Sequence, residues 1–191
     1  LFGGGGMDVA QLAERLGVSV RDIEQIQAEY DRFEIAKRSG RGIRVIHSPS
    51  ENLRYLQRPI LTRLLSKLKA HPCATGYERG HSIVTNARLH VGKAVVVRMD
   101  VRDFFTSTRA DRVRDYFRAI GWNNAAAREL TRLTTHEGGL PQGAITSPRL
   151  SNLVNFQLDA RMAGMAKAAG ATYSRYADDM TFSFAVDDRR Q

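Results

Sequence analysis

Two adjacent carboxylates, Asp178 and Asp179, sit between two strand-like segments and constrain this chain more than any other feature. Residues 172–176 before them and 180–184 after them are rich in aromatic residues and Thr, with partial two-residue alternation. That pattern predicts a β-hairpin with the acids at its tip. Like charges this close repel, and each needs water or a cation. An isolated Asp-Asp pair is by itself only a polar turn, so the rest of the sequence decides whether a divalent ion is implied.

A third acid follows the β-branched run Val95-Val96-Val97-Arg98-Met99. Such a run predicts a buried central strand with Asp100 at its C-terminal end. Asp103, Phe104, Phe105 and Thr106 come next, and then a helix start: Thr108 as N-cap with Asp111 three residues on. Val113, Tyr116, Phe117 and Ile120 repeat at helical spacing, and Gly121 supplies a stop. Three carboxylates converging on one sheet suit Mg²⁺, an oxygen-seeking ion that also binds substrate phosphates. Two such ions clamp the attacking and leaving oxygens of a displacement at phosphorus, which points to nucleotidyl transfer.

Between the acids lies the turn-rich loop Gly138-Gly139-Leu140-Pro141-Gln142-Gly143-Ala144. Its glycines allow close backbone approach to a ligand, and the Gln142 amide both donates and accepts hydrogen bonds. Ser147 as N-cap and Pro148 at the first helical position then predict one helix running to Gly170. Leu150, Leu153, Val154, Leu158, Met162 and Met165 form its apolar stripe.

The segments Val97–Phe105, Leu140–Pro148 and Arg175–Asp179, in that order and separation, resemble the three central palm motifs of reverse transcriptases. Asn86-Ala87-Arg88-Leu89-His90 matches the Asn-Ala-x-x-His signature of retron-type bacterial enzymes, and residues 44–49 and 56–61 look like the retron fingers region. The resemblance runs from about Tyr30 to Phe184. It implies an α+β fold of right-hand polymerase type, with an N-terminal helical extension and fingers over 7–92 and a palm with an inserted fingers segment over 93–191. A ferredoxin-like antiparallel palm sheet with packed helices would carry the acids.

Residue by residue, the resemblance implies that Asp100, Asp178 and Asp179 are catalytic and hold two Mg²⁺ ions, with the Val101 carbonyl helping and Mn²⁺ as a substitute ion. Phe105 matches the steric gate beneath the incoming sugar, where an aromatic ring clashes with a 2′-hydroxyl. Gln142 would lie against the incoming nucleotide, and Tyr176 and Ala177 would flank the primer end. Arg44 and Arg79 are candidates for gripping the triphosphate, or are surface charges. His90 reads as a structural imidazole bonded to a backbone carbonyl. His47, His71, His81 and His136 show no metal-ligand spacing, and His71 with Cys73 makes a lone pair, so zinc is not expected.

Charge supports a polyphosphate partner. The net charge is +9, and between Arg32 and Lys69 ten Lys or Arg stand against two Glu and no Asp. A basic stretch of this kind binds template and primer backbones with little sequence choice. One cysteine excludes an internal disulfide and fits a reducing, cytoplasmic setting. No apolar run is long enough to cross a bilayer, so no membrane partner is expected.

The sequence begins at Leu1 and reaches Met7 after a glycine run, so either Met7 is the biological start or the sequence is a fragment with foreign residues ahead of it. Residues 12–19 also look like the opening of a helix-turn-helix, although no recognition helix follows. A dozen residues follow Asp179, ending in the polar tail Asp187–Gln191, without the family's thumb or its later Val-Thr-Gly signature. The expectation is therefore fingers and palm of an RNA-directed DNA polymerase with an RNA template, an RNA or DNA primer and deoxynucleoside triphosphates. In the retron branch it would make multicopy single-stranded DNA from a non-coding RNA in phage defence, with a retron effector protein as a further partner. A non-catalytic nucleic-acid-binding remnant, or a group II intron, diversity-generating or CRISPR-associated reverse transcriptase, are the alternatives.

Overall fold

In chain order the elements are α1 (Val9–Leu16), α2 (Val20–Gln25), β1 (Tyr30–Ala36), β2 (Ile43–Pro49), α3 (Glu51–Pro59), α4 (Ile83–Arg88) and β3 (Val95–Asp100). They continue with α5 (Phe104–Ser107), α6 (Ala110–Ala119), α7 (Asn124–Thr134), α8 (Ser147–Val154), α9 (Phe156–Ala168), β4 (Ala171–Tyr176) and β5 (Asp179–Phe184). The structure, a computed structural model, describes residues 5–36 and 42–185. Gly3 and Gly4 of the glycine run, Lys37, Arg38 and Arg41 of the basic stretch, and the tail Asp187–Gln191 lie outside the described residues. The elements gather into two units, one taking Leu1–Leu68 and Phe105–Val154, the other Lys69–Phe104 and Asn155–Gln191. Both are discontinuous in sequence.

The first unit is mainly helical. The Asp8 carboxylate accepts from the Gln11 N–H at 2.9 Å and the Gln11 side-chain oxygen accepts from the Asp8 N–H at 3.0 Å, which fixes the start of α1. Gly17 ends α1 at φ +69, and Ser19 with Asp22 caps α2 in the same reciprocal way. The helical segment at the N-terminus is thus two short helices. Leu12, Leu16 and Ile23 bury fully beside Leu53, Phe117 and Leu130, so the helix-turn-helix look of residues 12–19 is core packing. β1 and β2 form an antiparallel hairpin in register from Tyr30↔Pro49 to Ala36↔Ile43. The start of α6 differs from expectation. Its N-cap is Arg109, not Thr108, with no side-chain capping bond, and Arg109 instead pairs with Asp111 at 3.0 Å.

The second unit is built on a three-stranded antiparallel sheet in the order β3-β5-β4. One face carries Tyr173 and Met180, which bury against Ala166 of α9 with Met162 and Phe182 packed around them. The opposite face carries Ser174, Thr181, Ser183 and Asp179, and is polar. Two expectations fail here. β3 is an edge strand with all six residues exposed, because β5 takes the centre. The helix expected from Ser147 to Gly170 breaks at Asn155: Leu150, Leu153 and Val154 enter the first unit's core, Met162 serves the second, and Met165 is exposed.

Candidate active site

The acids sit where the hairpin predicted them. β4 and β5 pair from Ala171↔Phe184 to Tyr176↔Asp179, leaving Ala177 and Asp178 as a two-residue turn. Ala177 takes φ +59, a conformation usually given to glycine in such turns. On the other side of β5, Asp100 lies directly opposite Asp179, and the Val101 N–H donates to the Asp178 carbonyl at 3.0 Å. Directly opposed residues on neighbouring strands point to the same face, and like charges there destabilise the sheet. A cation offsets that cost. In the present structure the Arg98 guanidinium, two residues before Asp100 and on its face, donates to Asp179 Oδ1 at 2.7 Å. The hydrogen bond first, and the Asp179 charge second, raise the Arg98 pKa. Carboxylates and an adjoining backbone carbonyl are the donor type that suits a hard divalent ion, although the three carboxylates do not all lie within 4.8 Å of one another in this structure.

The turn is held from beneath by a group the sequence did not reveal. Arg175 is fully buried, donates from Nη1 to the Ala177 carbonyl at 2.9 Å, and forks onto Asp159 at 2.8 and 2.6 Å. Tyr173 also donates to Asp159, at 2.9 Å, and burial followed by the Asp159 charge pushes its hydroxyl pKa far up. Gly76 closes the other side, since a Cβ there would stand 2.4 Å from the Ala177 nitrogen. The retron signature residues act on the same strand. Asn86 accepts from the Thr75 hydroxyl at 2.6 Å, and Thr75 in turn bonds the Arg175 carbonyl through its N–H at 2.8 Å and its hydroxyl at 3.2 Å. His90 lies between the hydroxyls of Ser183 and Ser174, at 2.7 and 2.8 Å, rather than on a backbone carbonyl. Burial, and then Lys93, lower its pKa.

Tyr176 and the buried Ala177 adjoin the acids, and Arg79 is exposed in the loop before α4. Arg44, Phe105 and Gln142 belong to the first unit. Arg44 is exposed on β2, opposite Ile35, and Phe105 is partly buried against the helical core. The Gln142 carbonyl accepts from the His47 N–H at 2.7 Å, which fixes the loop to β2. Two glycines of that loop pack closely on the protein's own backbone: a Cβ on Gly143 would meet the His47 carbonyl at 2.7 Å, and one on Gly139 the Thr106 carbonyl at 2.4 Å. Part of the basic stretch is structural as well, since Arg63 caps the Leu16 carbonyl at 2.9 Å and Arg54 bonds Ser48 and the Pro49 carbonyl. Arg58 remains exposed on α3 beside Tyr55.

Residues 35–190 match the family model described as "Reverse transcriptase (RNA-dependent DNA polymerase)". The chain is 41% identical to the Retron Mx65 reverse transcriptase of Myxococcus xanthus, over 90% of this chain and 46% of that protein. It is 40% identical to the Retron Ec86 reverse transcriptase of Escherichia coli, over 74% of this chain and 44% of that protein. The chain thus spans about half the length of the retron relatives it matches. Among solved structures, a Candida albicans telomerase in complex with a fragment of telomeric RNA overlays with a TM-score of 0.57 at 9% identity, covering 87% of this chain and 39% of that one. That likeness shows a fingers-and-palm fold. With the acids in register on the palm hairpin and the family match spanning most of the sequence, the chain belongs to the reverse transcriptases and is of the retron type.

Proposed function

We propose that this chain provides the fingers and palm of an RNA-directed DNA polymerase that uses two Mg²⁺ ions, with Mn²⁺ able to substitute. The observation that carries this reading is the register: Asp100 stands opposite Asp179 with Asp178 in the adjoining turn. Two opposed carboxylates weaken a sheet edge unless they serve a cation. Bound ions would supply charge neutralisation at the triphosphate and lower the pKa of the attacking hydroxyl. The chain's own residues do the positioning. Asp100, Asp178 and Asp179 hold the ions, with the Val101 carbonyl beside them, and Tyr176 and Ala177 flank the primer end. Phe105 excludes a 2′-hydroxyl, Gln142 contacts the incoming nucleotide, and Arg44 and Arg79 bind its phosphates.

We extend this reading to a cytoplasmic enzyme that copies a structured non-coding RNA into multicopy single-stranded DNA, working with an effector protein against phage; the support is membership of the retron type. The test is primer extension on an RNA template with deoxynucleotides and Mg²⁺, comparing the chain with its Asp178→Ala/Asp179→Ala variant. Extension by the parent that falls on the order of 10³-fold or more in the variant supports the assignment. Equal extension by both defeats it, as does none from folded protein lengthened to the span of its relatives.

A further inference from the structure

His47, on β2, and His136 are far apart in the sequence and show no ligand spacing, yet the fold brings their rings to a centroid distance of 4.9 Å. Glu137 joins them, with its carboxylate 3.9 Å from His47 Nε2 and 3.8 Å from His136 Nε2. One ligand atom from each of the three lies within 4.8 Å of the others, the one such three-ligand cluster among the described residues. All three belong to the first unit.

The loop that presents Glu137 is tightly fixed. His136 and Gly139 exchange backbone hydrogen bonds at 2.9 and 3.1 Å, closing a two-residue turn in which Glu137 takes φ +48 and Gly138 φ +82. That is the sign pattern of a type I′ turn, whose first central position favours Asn, Asp or Gly. A longer carboxylate held there is strained, and such strain persists only where surrounding contacts over-determine it. Here the Ala110 N–H donates to the Gly138 carbonyl at 2.8 Å, and Gly139 lies against the Thr106 backbone. The Tyr30 ring, 4.6 Å from that of His136, orients the second imidazole.

We propose that His47, His136 and Glu137 form a binding site for a transition-metal dication of the zinc type. Two imidazoles and a carboxylate are a donor set this class of ion prefers to the all-oxygen shell of Mg²⁺. Bonds of about 2.0–2.1 Å place ligand atoms roughly 3.3 Å apart around a tetrahedral ion, so small side-chain rotations close the cluster. The ion would be a brace. It ties β2 to the loop that continues into Gln142, whose carbonyl already accepts from the His47 N–H. This site shares no ligand with the Asp100, Asp178 and Asp179 carboxylates, so its metal binding can be read without polymerase activity.

The test is titration of the chelator-stripped full chain with Co²⁺ in excess Mg²⁺, followed by visible absorption, and with Zn²⁺ by calorimetry. One equivalent should bind, with intense tetrahedral Co²⁺ bands, and should persist in Asp178→Ala/Asp179→Ala. Binding should disappear in His47→Gln/His136→Gln. It should weaken at least about tenfold in Glu137→Gln, an exposed position where the fold is safe. Absence of saturable binding, survival in the double-histidine variant, or loss in the double-aspartate variant overturns the proposal.

Discussion

Two Asp–Arg pairs in the second unit have nearly the same length and opposite uses. Arg175 and Asp159 meet at 2.6 Å with both side chains fully buried, while Arg98 and Asp179 meet at 2.7 Å with 68% and 38% of their side chains exposed. The buried pair has no access to a competing ion, and all its bonds go inward: to each other, to the Tyr173 hydroxyl and to the Ala177 carbonyl. It fixes the turn. The exposed pair is screened by water and salt and can be exchanged for another cation. In this unit burial, not distance, separates the scaffold from the site.

The sharpest way to break that comparison is to remove one acid from each pair. Asp159→Ala should lower stability by about 3–5 kcal/mol in denaturant unfolding, because it strands a buried guanidinium. Asp179→Ala should leave the unfolding midpoint unchanged or higher, since it removes a like charge opposite Asp100; equal losses in the two variants would end the distinction. Next in size is Gly76→Ala, whose added carbon must displace the Ala177 backbone and should cost about 1–3 kcal/mol, with weaker Mg²⁺ binding measured alongside.

A smaller effect concerns the polar clamp on β4. The folded-state pKa of His90 lies below its ordinary 6.5, so protonation favours the unfolded chain. Its contribution is therefore complete above that value and is lost as pH falls below it; melting temperatures measured against pH should decline less steeply on the acid side in His90→Gln. The smallest change is expected for Arg98→Ala. Losing the guanidinium that offsets the Asp100–Asp179 repulsion should lower the metal-free melting temperature only slightly, because the pair is exposed, and calorimetry should show Mg²⁺ binding modestly changed rather than lost.

The hairpin, its two acids and the third on a preceding strand were legible because each rests on local pattern: two-residue alternation, a β-branched run and an acid at its end. What the pattern could not supply was order across the sheet. Val95, Val96 and Val97 read as a buried centre, yet β5 took that place and left them at the edge. Nor could it supply partners that only folding assembles. Arg175 lies beside the Asp-Asp motif but takes its meaning from Asp159 on α9, and His47 meets His136 across most of the first unit. The stripe from Leu150 to Met165 misled for a related reason: helical periodicity continues through Asn155, but the polypeptide there passes from one unit to the other.

Among the described residues the outer edge of β3 is unpaired, which bears on how this chain can be handled. Val95, Val96, Val97 and Met99 are all exposed, and strands of this kind pair with their own copies in concentrated solution. Arg98 and Asp100 are the only charges on that strand, so the residues that serve the site also act as its gatekeepers against self-association. An inactive control made at Asp100 would therefore confound loss of chemistry with loss of solubility, whereas one made at Asp178 and Asp179 leaves β3 untouched.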